Sequence, residues 1–153
     1  MEAYNKDERT RNVEFLSDAY VSKKLYEKYC YEADKSYGLS ICEGEVLMHI
    51  HLRGGESAAK DIVEKKWISK SQVSKAVERL VKLGYIDEAI DPNDRRITRL
   101  RLTEAAEAPV MELEKATQSF LDKLFEGLTN DEIGEVNRLF QKMTENIRGE
   151  RQQ

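Results

Sequence analysis

Apolar residues recur every three or four positions through most of the chain, a spacing that is typical of amphipathic helices. The longest such stretch runs from about Lys6 to Ala33, and its apolar surface is wide enough to pack against other elements on more than one side. We expect one of those packing partners to be a second subunit. Five further helices are predicted, at about 41–52, 58–66, 70–83, from Thr103 to Gly127, and from Thr129 to the C-terminal region.

Hydroxyl side chains mark the points where the later helices begin. Ser40–Glu43, Ser69–Gln72 and Thr129–Glu132 each match a capping box, in which two side chains three residues apart bond to each other's backbone N–H groups. Ser57 and Thr103 are predicted to cap the third and fifth helices. These signals divide the chain into short, well-delimited elements.

The helix at 70–83 has two distinct faces. Val73, Val77 and Leu80 lie on its apolar face, and small polar and basic residues lie on the other. A tight turn joins it to the short helix before it, which is the arrangement of a helix-turn-helix. Polar side chains near its N-terminus can reach base edges, and the unpaired N–H groups there favour phosphate. An ordinary solvated face would give the same pattern, so this helix alone leaves both interpretations open. The predicted DNA contacts on it are Lys70, Ser71, Gln72, Ser74, Lys75 and Arg79.

Alternating apolar and polar residues at 86–90 and 99–102 predict two strands. The segment 91–94, Asp-Pro-Asn-Asp, has the composition of a turn, and Arg95 and Arg96 follow it. An arginine carried on a narrow ribbon can enter a minor groove, and Asp94 is close enough in sequence to brace Arg96. A solvated hairpin is the alternative. Because the hairpin follows a helix-turn-helix directly, we interpret it as a wing that binds double-stranded DNA.

Charge supports this interpretation once its distribution is considered. The chain carries 25 basic and 29 acidic residues, a net charge of -4. The segment from Arg53 to Arg101 nevertheless holds 12 basic and 8 acidic residues, whereas the remainder holds 13 and 21. A local basic footprint on an acidic body is typical of a nucleic-acid-binding face.

Other classes of function have little support in the sequence. A glycine-rich phosphate loop, a nucleophile–base set and a metal cluster are all missing, which disfavours an enzyme and predicts no cofactor and no metal site. His49 and His51 are two residues apart on a helix and point to different faces. No stretch approaches the ~20 apolar residues of a membrane span, and no signal peptide is evident. With only Cys30 and Cys42, we expect a cytoplasmic protein.

Together these motifs resemble those of the MarR family of bacterial transcriptional regulators. Residues 94–103 look like the family's wing signature, D-x-R-x-x-x-[LV]-x-L-T, residues 68–80 are similar to its recognition helix, and residues 82–86 to the junction between them. The resemblance implies a mainly α fold with a small β-wing. It implies an N-terminal dimerisation helix at 1–38, a winged helix-turn-helix domain at 39–103, and C-terminal dimerisation helices at 104–153.

The resemblance also implies a ligand-responsive repressor that binds a pseudo-palindromic operator as a homodimer. It assigns Arg96 as the wing arginine and Asp94 as its brace. It implies a small lipophilic or phenolic effector between the dimer helices and the DNA-binding lobe. Two other functions remain open: a winged-helix module that binds protein without contacting DNA, and a thiol-based redox-sensing regulator that uses Cys30 or Cys42. The candidate effector-pocket residues are Tyr20, Tyr26, Tyr29 and Trp67, although core and interface packing explains them better than a pocket does.

The sequence departs from the family pattern at several positions. Asp87-Glu88 stands where relatives often carry basic residues, so the first wing strand is predicted to contribute less to DNA affinity. Lys66-Trp67 replaces the usual Leu-Gly before the recognition helix, and Ala106 replaces a common glycine. Pro109 predicts a kink or a late start in the fifth helix.

Overall fold

A computed structural model describes residues 6–66 and 68–148 of the chain. The six predicted helices and two predicted strands are confirmed, and a third strand joins them. The first compact unit ends at Phe120 and a second begins at Leu121. The elements are α1 (Lys6–Ser36), α2 (Ile41–Leu52), β1 (Glu56–Ala58), α3 (Ala59–Lys66), α4 (Lys70–Lys82), β2 (Ile86–Ile90), β3 (Thr98–Leu102), a 3-10 turn (Glu104–Ala106), α5 (Glu107–Leu124) and α6 (Asn130–Arg148).

The core of the first unit is formed where α2, α3, α4 and the sheet meet. Leu47 and Ile50 on α2, Ile62 on α3, Leu80 on α4 and Leu100 on β3 are all fully buried in it. Each side chain of this size contributes ~1.5–3 kcal/mol of burial free energy. The apolar face of α4 is therefore fixed against the rest of the unit, which turns its polar face to solvent.

The sheet is antiparallel and has the order β1-β3-β2, so β3 is its central strand. Ser57 of β1 and Glu88 of β2 both stand opposite Leu100. The prediction that Ser57 caps the third helix is wrong, because Ser57 is a buried residue of β1 and its hydroxyl donates to the carbonyl of Ala58 at 3.4 Å. A strand of three residues is too short to show a period in sequence.

All three predicted capping boxes form. In the first, the Glu43 backbone N–H donates to the Ser40 hydroxyl at 3.3 Å and the Ser40 N–H donates to the Glu43 carboxylate at 2.8 Å. Thr103 does not cap a helix with its side chain, contrary to the prediction. Its hydroxyl donates to the carbonyl of Gly84, and α5 begins only at Glu107. Pro109 thus lies in the first turn of a late-starting helix, where its missing N–H is not needed.

A buried carboxyl group lies where α1 meets α2. Asp34 is 3% exposed, and its Oδ1 atom has no hydrogen-bond partner among the described residues. Gly44 makes room for it, since a Cβ there would lie 2.0 Å from Oδ1. Burial raises the pKa of Asp34 to about 7, and repulsion from Glu45 and Glu43 adds to the effect.

The raised pKa predicts that the protein loses stability as the pH rises. Asp34 is protonated in the fold below about pH 7, whereas in the unfolded chain its pKa is ~3.9. The free energy of unfolding should therefore fall as the pH rises from ~4 to ~7, and by ~2 kcal/mol between pH 5.5 and 8.5. Asp34→Asn keeps the shape but cannot ionise, so its profile should be flatter. Urea unfolding of both proteins at pH 5.5 and 8.5 measures the difference; an equal fall in the variant would contradict the assignment.

Candidate nucleic-acid interface

Helix α4 presents its N-terminal turn to solvent in a fixed orientation. The Ser69 hydroxyl accepts the Gln72 N–H at 3.2 Å, and Gln72 Oε1 accepts both the Ser69 N–H at 3.2 Å and its hydroxyl at 2.9 Å. Buried Val73 and Val77 anchor the opposite face. Gln72 is thus engaged through its oxygen, while its amide nitrogen can still donate to a ligand. The predicted contact residues Lys70, Ser71, Gln72, Ser74 and Lys75 are all exposed along this face.

The wing turn is organised by Asp91 rather than by Asp94. The Asp91 carboxylate accepts Arg99 Nε at 2.7 Å and the backbone N–H groups of Asn93 and Asp94 at 2.8 and 3.1 Å. These contacts, with Arg99 the strongest, lower the pKa of Asp91. An ionised Asp91 therefore ties the start of the turn to the returning strand and sets the shape of the wing.

Asp94 acts on the backbone of the turn. Its carboxylate accepts the Arg96 backbone N–H at 3.0 Å, so the brace that the sequence predicts goes to the main chain and not to the guanidinium. The side chains of Arg95 and Arg96 are both exposed at the tip of the wing. Each is free to turn toward a nucleic acid while the loop beneath it stays fixed.

Arg79 is a predicted contact residue whose guanidinium group is already engaged within the fold. Its Nε atom lies 3.1 Å from Glu43 Oε1, and its Nη2 atom donates to the Gly38 carbonyl at 2.7 Å. Glu43 is the buried partner in this pair. Arg79 therefore links α4 to the α1–α2 junction, and this role competes with the predicted contact to DNA.

A groove of about 740 Å³ opens between α3, α4 and the wing. Lys70 and Ser74 line it from α4, and Arg96 lines it from the wing, so the structure brings these predicted residues to one surface. Lys60 of α3 and Glu88 of β2 also line the groove, and neither is among the predicted contact residues. The only sequence feature that indicated an exposed side chain at Lys60 was its place on the predicted helix beside the apolar residue Ile62. Basic residues outnumber acidic residues in the lining of the groove.

Two of the predicted effector residues pack against another aromatic side chain. Tyr26 and Tyr29 pack edge-to-face on Phe120, with ring centroids 5.5 and 5.6 Å away, and Tyr20 is exposed under the ammonium group of Lys24. Burial raises the pKa of Tyr26 to about 12. Trp67 lies outside the described residues. A smaller cavity of about 410 Å³ lies elsewhere, at the C-terminal end of α2 and the start of α5, and none of these tyrosines lines it.

The two thiols are poorly suited to oxidant sensing. Burial raises the pKa of both Cys30 and Cys42, which disfavours the reactive thiolate. Across residues 6–66 and 68–148 no group of three His, Cys, Asp or Glu side chains is arranged to hold a metal ion. In the same part of the chain, no helix has the length and apolar character that a membrane crossing requires.

Comparison with known proteins agrees with this geometry. The winged helix DNA-binding domain family matches residues 39–106. The HTH-type transcriptional repressor IacR of Pseudomonas putida is 28% identical over 93 residues, which are 61% of this chain and 56% of the repressor. The chain thus spans little more than half of that relative's length.

Solved structures share the fold over most of the chain. A MarR-family transcriptional regulator from Listeria monocytogenes, complexed with 26mer DNA, superposes with a TM-score of 0.79 at 21% identity, over 88% of this chain and 89% of that one. BpsR of Bordetella bronchiseptica, whose DNA binding is regulated by 6-hydroxynicotinic acid, gives 0.66 at 22%, over 87% and 98%. The chain is therefore a winged helix protein built on the fold of MarR-family regulators, as its sequence motifs predict.

Proposed function

We propose that the protein is a transcriptional regulator that binds double-stranded DNA as a homodimer, with one α4 in each of two successive major grooves and the wings beside them. The observation that carries the proposal is the groove between α4 and the wing. Lys60, Lys70 and Arg96 enter it from three separate elements. Among the described residues, none of the three has an ion-pair partner, so all are available to phosphate.

The salt dependence of binding to a random-sequence duplex tests this function. Three phosphate contacts per protomer, six in a homodimer, predict that log K falls with log salt concentration at a slope of about -5. Fluorescence anisotropy between 50 and 300 mM salt measures it. A protein-interaction module without DNA contacts should show no binding at 50 mM salt, and that result would contradict the proposal.

The different surroundings of Arg96 and Arg79 predict different effects of the same substitution. Arg96→Ala removes an unpaired cation from the groove and should lower the steepness of the salt slope by about one per protomer. Arg79→Ala instead leaves Glu43 without its cation, so it should lower the melting temperature and leave the slope nearly unchanged. Anisotropy and thermal unfolding on both variants separate the two roles. Equal slopes for wild type and Arg96→Ala would remove the wing from the interface.

The proposal of a homodimer is supported by exposed apolar faces in each of the two compact units. In α1, Val13, Leu16 and Tyr20 are more than 60% exposed. In α6, no described residue is buried, and the predicted seam leaves Met143 and Ile147 in solvent. A second copy of the chain would cover such faces, because their repeat of three and four residues suits helix-to-helix packing.

Met143→Glu should convert the dimer toward monomer. The substitution places two charges in a two-fold interface and removes two apolar contacts, which predicts an increase of about 100-fold or more in the dimer dissociation constant. Sedimentation velocity at ~10 µM distinguishes the states. Gln141→Glu adds the same charge on α6 outside the seam and serves as the control. A wild-type protein that sediments as a monomer would overturn the homodimer.

Two further parts of the proposal concern the effector and the compartment. The relative regulated by 6-hydroxynicotinic acid supports a small lipophilic or phenolic effector. Such a ligand, bound beside Tyr26 and Tyr29, would compete with the packing of these rings on Phe120. A regulator of transcription acts where the DNA is, which supports a cytoplasmic location.

A further inference from the structure

Glu88 is an acidic residue inside a predominantly basic groove. It lines the same groove as Lys60, Lys70 and Arg96, it is exposed, and among the described residues it has no ion-pair partner. The other carboxylate of the groove, Glu78, is neutralised by Lys82 at 2.7 Å. Glu88 therefore adds an uncompensated negative charge to the surface that is proposed to hold phosphates.

The neighbouring acidic residue occupies the opposite face of the strand. Successive side chains of a strand alternate between faces, so Asp87 points away from the groove and does not line it. Asp87 stands opposite Arg101, which also pairs with Glu56 at 2.8 Å. Glu88 stands opposite Leu100, which is fully buried and offers no charge. Of these two adjacent acidic residues, only Glu88 lines the groove. It also has no cation opposite it on β3, whereas Asp87 has Arg101.

We propose that Glu88 weakens DNA binding by repelling the phosphate strand that the cations of the groove attract. The inference rests on the proposed DNA-binding function and adds a residue that opposes it. A repulsive group at a binding surface weakens the binding of partners whose only attraction is their charge. Since the sequence-independent part of DNA binding is electrostatic, this is the part that Glu88 reduces.

Neutralising Glu88 should tighten binding to a random-sequence duplex. A unit charge within several ångströms of a phosphate predicts about three- to tenfold tighter binding for Glu88→Gln at 50 mM salt. Asp87→Asn removes the same charge from the other face and is the matched control, with an expected change of less than about twofold. Glu88→Lys should tighten binding again by a similar factor. Anisotropy with the full chain measures all three variants.

The salt dependence separates repulsion from a structural role. Screening predicts that the gain of Glu88→Gln shrinks as salt rises from 50 to 300 mM, whereas a conformational effect would persist. Thermal unfolding of each variant confirms that it is folded. If wild type binds the duplex and Glu88→Gln binds no more tightly than Asp87→Asn, the inference is wrong while the proposed function stands. If neither wild type nor Glu88→Lys binds at 50 mM salt, the proposed function fails with it.

Discussion

The burial of Leu100 at the centre of β3 is the constraint on which the proposed DNA-binding surface depends. β3 is bonded on one side to β1 and on the other to β2, so its register fixes both. A slip of one residue would turn Arg99 and Arg101 into the core and Leu100 into solvent. Because Leu80 of α4 is buried in the same core, the wing and α4 hold a fixed separation. The groove between them follows from that packing.

Electrostatics then act on a surface whose shape is already determined. The ion pairs of Asp91 with Arg99 and of Arg79 with Glu43 serve the fold, one within the wing and one behind α4. Three cations without an ion-pair partner among the described residues, Lys60, Lys70 and Arg96, line the groove. The overall charge of -4 is therefore compatible with DNA binding, since the binding face is set by which charges are unpaired and where they lie. The exposed carboxylate of Glu88 adds a negative charge to the same surface.

Local signals in the sequence were sufficient for most of the fold. The capping boxes at Ser40, Ser69 and Thr129 involve residues three apart, and the hairpin alternates over adjacent positions, so both can be read from short windows. The features of the fold that could not be predicted depend on contacts between residues that are distant in the sequence. β1 exists because it pairs with β3, some 40 positions later.

The same limit applies to the candidate site. The partner of Arg79 is 36 residues away, so its engagement by Glu43 was not visible. Asp91 and Asp94 share one turn, and composition alone does not say which carboxylate bonds to the arginine side chain and which to the backbone.

The central claim, a homodimer that reads two grooves, is tested most directly by selecting bound sequences from a random DNA pool. The account predicts two inverted half-sites with centres ~10 bp apart, or a multiple of that distance; enrichment of a single half-site, or of none, would contradict it.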